Sequence, residues 1–409
     1  MDKISLLVDR QIVLGVTGSV AVYKTVDLAS KLTQAGAVVQ VVMTAAAQQF
    51  VSPLQFRSVT GRPAYFDMWQ IHDHVQHVHL GESADLLLIA PATANTIAKL
   101  AHGKADNLLT VTALAARCPI VVAPAMDGAM FEHPATQENL ATLRERGVTI
   151  AGPAEGRMAS GLTGLGRMVE SDELLAFVRL GLAAGGPLAG RKVVVTTGPT
   201  REYLDPVRFI SNRSTGKQGL AVAQAALDAG AEVALISGPT CESPPLGARL
   251  IEVSTTAEMG EATCSETRDA DALFMVAAVA DFRPGETSDK KLKKTGSEEW
   301  GRVIGLEPTL DVLSAVSENR EKTGFPKVIL GFAAETHNAF EYGRDKLLRK
   351  GLDFIAVNDV LEKGAGFGVD TNHVLLITSS GVVEELPMQS KSAVAERLVA
   401  HVAEELGER

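Results

Sequence analysis

The residues best suited to chemistry lie between Thr196 and Gly219, in the segment TTGPTREYLDPVRFISNRSTGKQG. This segment follows a strand-like run at residues 192–195 and concentrates Gly, Pro, Thr, Ser, Arg and Lys. Backbone N–H groups and hydroxyls at the carboxyl end of a parallel strand bind phosphate in open α/β sheets. The segment therefore predicts a phosphate-binding loop. For its first five residues alone, an ordinary strand-to-loop junction is the alternative.

A second candidate loop, GVTGSVAVYK at residues 15–24, follows a strand and opens a helix. Gly15 and Gly18 permit close approach of a phosphate, but the pattern is not GxGxxG, and a plain β–α turn fits it as well. We expect the loops after neighbouring strands to meet it at one edge of a sheet. Those loops supply the remaining candidates of this half: Thr44, Thr93, Asn95, Thr96 and the segment 123–126.

The elements that must position these loops are parallel strands, because apolar runs alternate with helix-like segments from Ile12 onward. The alternation predicts doubly wound sheets. Residues 181–190, GLAAGGPLAG, interrupt it, and the pattern then restarts. We therefore predict an α/β fold with two Rossmann-like domains, residues 1–185 and 186–409. The predicted strands are 12–16, 38–43, 86–90 and 120–123 in the first half and KVVVT, AEVALISG, ALFMVAAVAD, KVILGFAAE and DFIAVND in the second.

Composition narrows the classes of function. A chain of 409 residues exceeds one typical core, which agrees with two domains. Its net charge of −10 offers no basic field for nucleic acid. The three cysteines, Cys118, Cys241 and Cys264, show no CxxC spacing, so we expect no disulfide framework and a reducing cytoplasm. We also expect neither a signal peptide nor a membrane span, since no apolar run reaches about 18 residues.

Four histidines, His72, His74, His77 and His79, crowd one short segment. Their number suggests a metal site, but no acidic or cysteine ligand set stands at helical or hairpin spacing with them. A surface cluster is the alternative for three of the four.

Residues 196–219, together with HPATQENL and GLGRM in the first half, resemble the bifunctional coenzyme A biosynthesis family. Its members join a flavin-dependent phosphopantothenoylcysteine decarboxylase to a phosphopantothenate–cysteine ligase. The resemblance to cysteine-decarboxylating flavoproteins covers almost all of residues 10–170. It implies an FMN-binding flavoprotein domain, with the phosphate near Gly18, Ser19 and Thr44 and the ring beside Thr93, Asn95 and Thr96.

The resemblance also implies that His77, in the pattern His-Val-His-Leu, is the base that takes the thiol proton, because imidazole titrates near neutrality. Two positions depart from the family. Asp127 replaces an Asn at the substrate carboxylate site, where an ionised Asp about 4 Å away would repel the substrate by roughly 4 kcal/mol. Ser160 replaces a cysteine proton donor, and a hydroxyl is a much weaker acid than a thiol. Arg157, close to Ser160 in sequence, is our candidate to offset Asp127.

For the second half the resemblance implies a nucleotide-dependent ligase that makes an acyl-cytidylate from CTP. Asn212 is expected to hold that intermediate, and Asp281 to bind the nucleotide and Mg²⁺. Lys291 is expected to neutralise charge on the acyl phosphate from a polar segment, residues 286–300, that we predict to be a mobile flap. The remaining CTP-binding candidates are Ala277, Asp311, Phe332, Lys346 and Lys350. Around Asp311 the sequence reads TLDV where the family has Asn-Pro-Asp-Ile/Leu, which leaves the individual contacts there open.

The leading prediction is therefore a two-domain enzyme acting on 4′-phosphopantothenate, cysteine and CTP, with FMN and Mg²⁺ as cofactors. One alternative keeps the ligase and lets the flavin half stop at the enethiol product. Another makes the flavin half a non-catalytic FMN-binding platform. We expect a homo-oligomer of trimeric flavin domains and dimeric ligase domains, with no nucleic acid or membrane partner.

Overall fold

The computed structural model describes residues 3–69, 75–158, 161–292, 304–335, 337–359, 361–366 and 368–408. The chain divides into two compact units, Met1–Ala184 and Gly185–Arg409. Each unit has its own largely parallel sheet with helices against it. The α/β class predicted from the sequence is confirmed.

The amino-terminal unit is built on a five-stranded parallel sheet. Its strands are β1 (Gln11–Val16), β2 (Val38–Met43), β3 (Leu86–Ala92), β4 (Ile120–Pro124) and β5 (Thr149–Ile150), and a separate hairpin contains β6 (Ala154–Arg157) and β7 (Thr163–Arg167). Its α-helices are α1 (Val22–Gln34), α2 (Pro53–Thr60), α3 (Gln76–Ser83), α4 (Ala94–Ala101), α5 (Leu108–Ala115), α6 (Gly128–Glu132), α7 (Pro134–Glu145) and α8 (Ser171–Ala183). The order across the sheet is β2-β1-β3-β4-β5.

Both faces of this sheet are covered, which explains why its strands read as continuous apolar runs. Successive side chains of a strand point to opposite faces. Leu14 and Leu88 accordingly join the core beneath α1 and α8, whereas Val13 and Leu87 join the core beneath α3, α4, α5 and α7. All four side chains are at most 1% exposed.

The carboxyl-terminal unit contains an eight-stranded mixed sheet and two small antiparallel pairs. Its strands are β8 (Lys192–Thr197), β9 (Arg201–Tyr203), β10 (Phe209–Ser211), β11 (Glu232–Ser237), β12 (Arg249–Glu252), β13 (Ala272–Met275), β14 (Phe282–Pro284), β15 (Leu306–Pro308), β16 (Val328–Glu335), β17 (Phe354–Asp359), β18 (Thr371–Thr378) and β19 (Gly381–Ser390). Its α-helices are α9 (Lys217–Asp228), α10 (Thr256–Glu266), α11 (Val312–Thr323), α12 (Ala339–Lys350) and α13 (Lys391–Glu408).

The large sheet runs β12-β11-β8-β13-β16-β17-β18-β19. Its first six strands are parallel, and β18 and β19 pair antiparallel at the far side. The order predicts a crevice between β8 and β13, because the chain winds away from β8 in one direction and returns on its other side.

One predicted strand is shorter than its apolar run suggests. The run ALFMVAAVAD extends to Asp281, but β13 ends at Met275. The hydroxyl of Thr196 accepts hydrogen bonds from the backbone N–H groups of Val276 and Ala277, both at 3.1 Å. A side chain of β8 thus replaces the strand ladder there, and residues 276–281 form a loop at the carboxyl edge of the sheet.

Within the described ranges, no helix is long and apolar enough to cross a membrane.

Candidate functional site

The first candidate site lies at the carboxyl edge of the amino-terminal sheet. The order β2-β1-β3-β4-β5 reverses direction between β1 and β3, and ligands of open α/β sheets bind at such a reversal. The loops after β1 and β3 carry the predicted phosphate and ring positions. The carboxyl ends of β1 and β3 therefore flank one crevice.

Hydrogen bonds join the loops around this crevice. The hydroxyl of Thr17 donates to the carbonyl of Pro91 at 2.7 Å and accepts from the backbone N–H of Thr93 at 3.1 Å. The N–H of Ala125 donates to the carbonyl of Ala92 at 3.0 Å. The loops that follow β1, β3 and β4 consequently form one connected rim, so the predicted positions on them are held at fixed places.

Gly18 lies where the loop after β1 meets the loop after β2. A β-carbon at Gly18 would come within 2.6 Å of the Ala46 side chain and 3.0 Å of its carbonyl carbon. Only glycine fits there without displacing backbone. Thr44 is tied to the same place, because its N–H donates to the Val16 carbonyl at 3.0 Å and its hydroxyl accepts from Ala47 at 3.3 Å.

The remaining flavin candidates lie at helix starts. Ser19 precedes α1, and its hydroxyl accepts from the N–H of Ala21 at 3.3 Å. Thr93 caps α4 by accepting from the N–H of Thr96 at 3.3 Å, and the side chain of Asn95 is exposed beside it. Neutral hydroxyls, an amide and a glycine-lined approach to a helix start suit a phosphate ester and a neutral ring. These residues therefore fit a flavin mononucleotide.

The structure places the predicted base His77 in the first turn of α3, half-buried. His72 and His74 lie outside the described residues. Over the described ranges, no three His, Cys, Asp or Glu side chains come together as a metal-ligating group.

Asp127 lies under the β6–β7 hairpin. Its carboxylate caps α6 by accepting from the N–H of Ala129 at 3.2 Å. The residues on either side are bound to the hairpin, because Met126 N–H donates to the Gly166 carbonyl at 3.0 Å and Gly128 N–H donates to the sulfur of Met158 at 3.1 Å. Arg157, at the end of β6, is exposed. Ser160 lies outside the described residues.

The second candidate site is a cavity of about 900 Å³ in the carboxyl-terminal unit, at the crevice between β8 and β13. It brings together most of the positions predicted for nucleotide chemistry: Asn212, Ala277, Asp281, Asp311, Phe332, Lys346 and Lys350. Lys291 is described, but it is not among the residues that line this cavity.

The loop after β13 forms the floor of the cavity. Its N–H at Ala280 donates to the hydroxyl of Thr200 at 2.8 Å. The side-chain amide of Asn212 donates to two of its carbonyls, Ala278 at 3.1 Å and Val279 at 3.0 Å. Asn212 thus fixes the loop that ends in Asp281, whose carboxylate is exposed at the edge of the cavity.

Two lysines of α12 line the opposite wall, and one of them meets an acidic helix cap. Asp311 caps α11 and forms an ion pair with Lys350. Burial raises the pKa of Asp311, but the hydrogen bonds from Lys350 and Ser314 outweigh burial and hold that pKa below its ordinary value. Lys346 donates to the Phe332 carbonyl at 2.9 Å. Burial lowers the pKa of Lys346 despite the attraction of Glu335 and Asp281.

An ion pair between a buried aspartate and a half-exposed arginine fixes the chain beside Lys291. Asp205 is 2% exposed, and its carboxylate accepts from Arg208 and from the N–H of Leu292 at 3.2 Å. Arg208 also donates to the Leu292 carbonyl at 2.8 Å and holds the pKa of Asp205 far below its ordinary value. The described part of the predicted flap, residues 286–292, is therefore anchored at the residue that follows Lys291. Residues 293–300 lie outside the described ranges.

Sequence reasoning missed several residues of the cavity wall. Lys217 and Gln218 stand in the segment singled out from sequence, and Asn358 stands at the end of a predicted strand, so a local signal existed for them. Asn372 and Lys391 also line the cavity. Both follow the last parallel strand, where no pattern of strand ends indicates a site.

Comparison with known proteins identifies relatives of both units. The Flavoprotein family model matches residues 5–181, and the model of the DNA/pantothenate metabolism flavoprotein C-terminal domain matches residues 188–406. The Coenzyme A biosynthesis bifunctional protein CoaBC of Bacillus subtilis (strain 168) is 42% identical over 412 residues, 99% of this chain and 100% of the relative. The protein of the same name from Mycobacterium tuberculosis (strain ATCC 25618 / H37Rv) is 43% identical over 403 residues, 96% of each chain.

A solved structure of the C-terminal domain of Coenzyme A biosynthesis bifunctional protein CoaBC is 36% identical, with a TM-score of 0.46, and covers 55% of this chain and 100% of that chain.

Proposed function

This chain belongs to the family of coenzyme A biosynthesis bifunctional proteins, and we propose that it joins 4′-phosphopantothenate to cysteine and then decarboxylates the product. The ligation is assigned to the carboxyl-terminal unit and the decarboxylation to the amino-terminal unit. The observation that supports the ligation best is the cavity that gathers Asn212, Asp281 and Lys346 at one edge of the sheet.

Ligation requires an activated carboxylate. In the proposed reaction the carboxylate of 4′-phosphopantothenate attacks the α-phosphorus of CTP, and pyrophosphate leaves. The cysteine amine then attacks the acyl carbon, and CMP leaves with the electron pair of the broken acyl–oxygen bond. Asn212 positions the loop beneath the acyl-cytidylate, while Lys346 and Lys350 offset the charge of the nucleotide. Asp281 offers exposed carboxylate oxygens, which fit Mg²⁺, and the ion would neutralise phosphate charge there.

Decarboxylation breaks the bond between the carboxyl carbon of the substrate and the neighbouring carbon. The electron pair of that bond stays on the substrate and must be delocalised. FMN supplies the redox chemistry for this reaction when it is bound by the loops around Gly18, Thr44 and Thr93. The chain's own part is to bind the substrate and move protons. His77 is the proposed acceptor of the thiol proton. The electron pair that remains when carbon dioxide leaves is delocalised onto sulfur. Ser160 stands where the family has the cysteine that returns a proton at the end.

Ser160 gives a second candidate function a specific basis. Without a thiol at that position, the flavin unit would stop after loss of carbon dioxide and release the enethiol, while the ligase would be unaffected. A non-catalytic FMN platform is the third candidate. The presence of both units on one chain favours the complete reaction, because under either alternative the chain does not convert its ligated product to 4′-phosphopantetheine.

Product mass separates the three candidates. The full-length protein is incubated with 4′-phosphopantothenate, cysteine, CTP and Mg²⁺, and pyrophosphate and product mass are measured. Loss of carbon dioxide without net oxidation supports the complete reaction. A product lighter by two further hydrogens supports the enethiol, and undecarboxylated phosphopantothenoylcysteine supports the platform. Absence of pyrophosphate release contradicts the assigned ligase.

We further propose that the protein works in the cytoplasm as a homo-oligomer of trimeric flavin units and dimeric ligase units. The family resemblance and the free cysteines Cys118, Cys241 and Cys264 support this proposal. Sedimentation equilibrium of the intact protein measures the assembly mass, and a monomer would contradict it.

A further inference from the structure

A buried lysine from the carboxyl-terminal helix lines the cavity of the carboxyl-terminal unit. Lys391 is the first residue of α13 and is 7% exposed. Its ammonium donates to the carbonyl of Gly366 at 3.1 Å. Across the described residues the structure shows no carboxylate paired with it. A buried ammonium that meets only a neutral carbonyl is unfavourable unless an anion is also present.

A second lysine stands on the same wall. Lys217 is the first residue of α9, and its ammonium lies 2.7 Å from a carboxylate oxygen of Asp370 and 3.9 Å from one of Glu242. The Asp370 side chain is 86% exposed and faces solvent. Burial lowers the pKa of Lys391, repulsion from Lys217 lowers it further, and Asp370 offsets only part of that. Both carboxylates pair with Lys217, so among the described residues the buried Lys391 has no ion pair of its own on this wall.

The backbone beside these lysines comes close to the cavity. Gly216, with φ of 80°, precedes α9 and lines the cavity together with Ser214 and Thr215. A β-carbon at Gly216 would lie 3.2 Å from the hydroxyl of Thr197. Lysine ammonium groups beside the start of a 12-residue helix are suited to a phosphate.

We propose that Lys391 and Lys217 form a phosphate subsite of this cavity. The proposal rests on the proposed function for the source of the phosphate, which is either the phosphate chain of CTP or the 4′-phosphate of phosphopantothenate. The shared chemistry is a phosphate anion that takes a direct hydrogen bond from the buried ammonium. Lys391 is thereby a substrate-binding residue supplied by the last helix of the chain.

The direct test uses Lys391→Met in the full-length protein, which keeps the length of the side chain and removes its charge. Calorimetric titration with inorganic pyrophosphate and Mg²⁺, with CTP and with phosphopantothenate should show about tenfold weaker binding of at least one of them. Lys391→Arg should keep most of the affinity, and Lys217→Met should weaken the same ligand. Lys322→Met, an exposed lysine of α11, is the charge-matched control.

The kinetic arms identify the source. A raised KM for CTP with an unchanged KM for cysteine assigns the subsite to the nucleotide, and a raised KM for phosphopantothenate assigns it to the acyl substrate. The proposal is overturned if Lys391→Met has a wild-type melting temperature and unchanged affinity for every phosphate ligand. If Lys391→Met fails to fold, unchanged affinity in Lys217→Met overturns it. If the wild-type protein binds pyrophosphate through Lys391 but binds neither CTP nor phosphopantothenate, the proposed function is contradicted while the phosphate subsite is supported.

Discussion

Asp127 has two roles that a substitution can separate. Its carboxylate caps α6. The family resemblance also predicts that its charge lies at the site of the substrate carboxylate. Asn caps helices about as well as Asp, so Asp127→Asn removes the charge and preserves the helix start. Effects of that variant on decarboxylation can therefore be interpreted as effects of charge.

If the site compensates this charge through Arg157, Arg157→Ala should lower decarboxylation about tenfold, because it leaves an unbalanced carboxylate near the substrate carboxylate. Asp127→Asn in the same chain should then restore part of the activity. The measurement is release of carbon dioxide from phosphopantothenoylcysteine. Arg167→Ala, on the neighbouring strand of the same hairpin, is the control and should have little effect. Equal effects of the two arginines, with activity gained only by Asp127→Asn together with Ser160→Cys, would indicate a decayed site.

Gly18→Ala tests the close approach of the loops after β1 and β2. The added methyl group would overlap Ala46 at 2.6 Å, and overpacking costs about 1–3 kcal/mol. If the loops separate to relieve it, FMN binding should weaken about tenfold. The measurement is the flavin retained per chain after gel filtration. Gly185→Ala is the control, since its β-carbon would meet nothing within 4 Å. Full flavin content in Gly18→Ala would show that the loop binds no phosphate.

At the scale of elements, a histidine links the hairpin of β18 and β19 to residues 361–366, which end at the cavity-lining Gly366. His373 of β18 lies between two carboxylates, Glu362 at 2.7 Å and Glu385 of β19 at 3.2 Å. The hydrogen bond that the His373 ring donates to the Glu362 carboxylate raises the pKa of His373 above its ordinary value, with burial opposing this rise and Glu385 adding to it. The charged imidazole therefore joins residues 361–366 to both strands.

The pH dependence follows from that raised pKa. A raised pKa in the folded protein contributes stability that is complete below the unfolded value, about 6.5, and is lost as pH rises through the folded value. The melting temperature of the wild type should exceed that of His373→Gln most at about pH 6, and the difference should shrink towards about pH 9. Glu362→Gln should flatten this dependence. A difference that grows with pH would show that His373 is neutral in the fold.

The elements also show which parts of the candidate site could be predicted from the sequence. Strand ends after buried apolar runs indicated Thr93 and Asp281, because parallel strands deliver their carboxyl ends to one edge, whereas Asn212 was indicated by the family resemblance. The same rule predicted too long a strand β13, because the Thr196 hydroxyl accepts the backbone hydrogen bonds of Val276 and Ala277 in place of a neighbouring strand. It could not find Lys391, which reaches the cavity only because the antiparallel strands β18 and β19 return the chain to that edge.

At the scale of the whole molecule, the chain contains two α/β units, each with its own sheet and core. The residues proposed for ligation all follow the boundary between the units. The fragment 186–409 should therefore fold and release pyrophosphate from CTP when phosphopantothenate, cysteine and Mg²⁺ are supplied, at a rate within about tenfold of the intact chain. A fragment that has a cooperative melting transition but releases no pyrophosphate would show that ligation depends on the amino-terminal unit.

The strand β19 ends the eight-stranded sheet, so one row of its backbone groups has no neighbouring strand in that sheet. Such an edge can template the growth of β-aggregates, and the exposed Val382, Val383 and Met388 would favour adhesion. Glu384 and Glu385 place carboxylates on the same strand, and Pro387 lacks the N–H that a ninth strand from another molecule would need. Charge and proline at a sheet edge oppose the addition of a further strand, so we expect these three residues to disfavour association of two copies through β19.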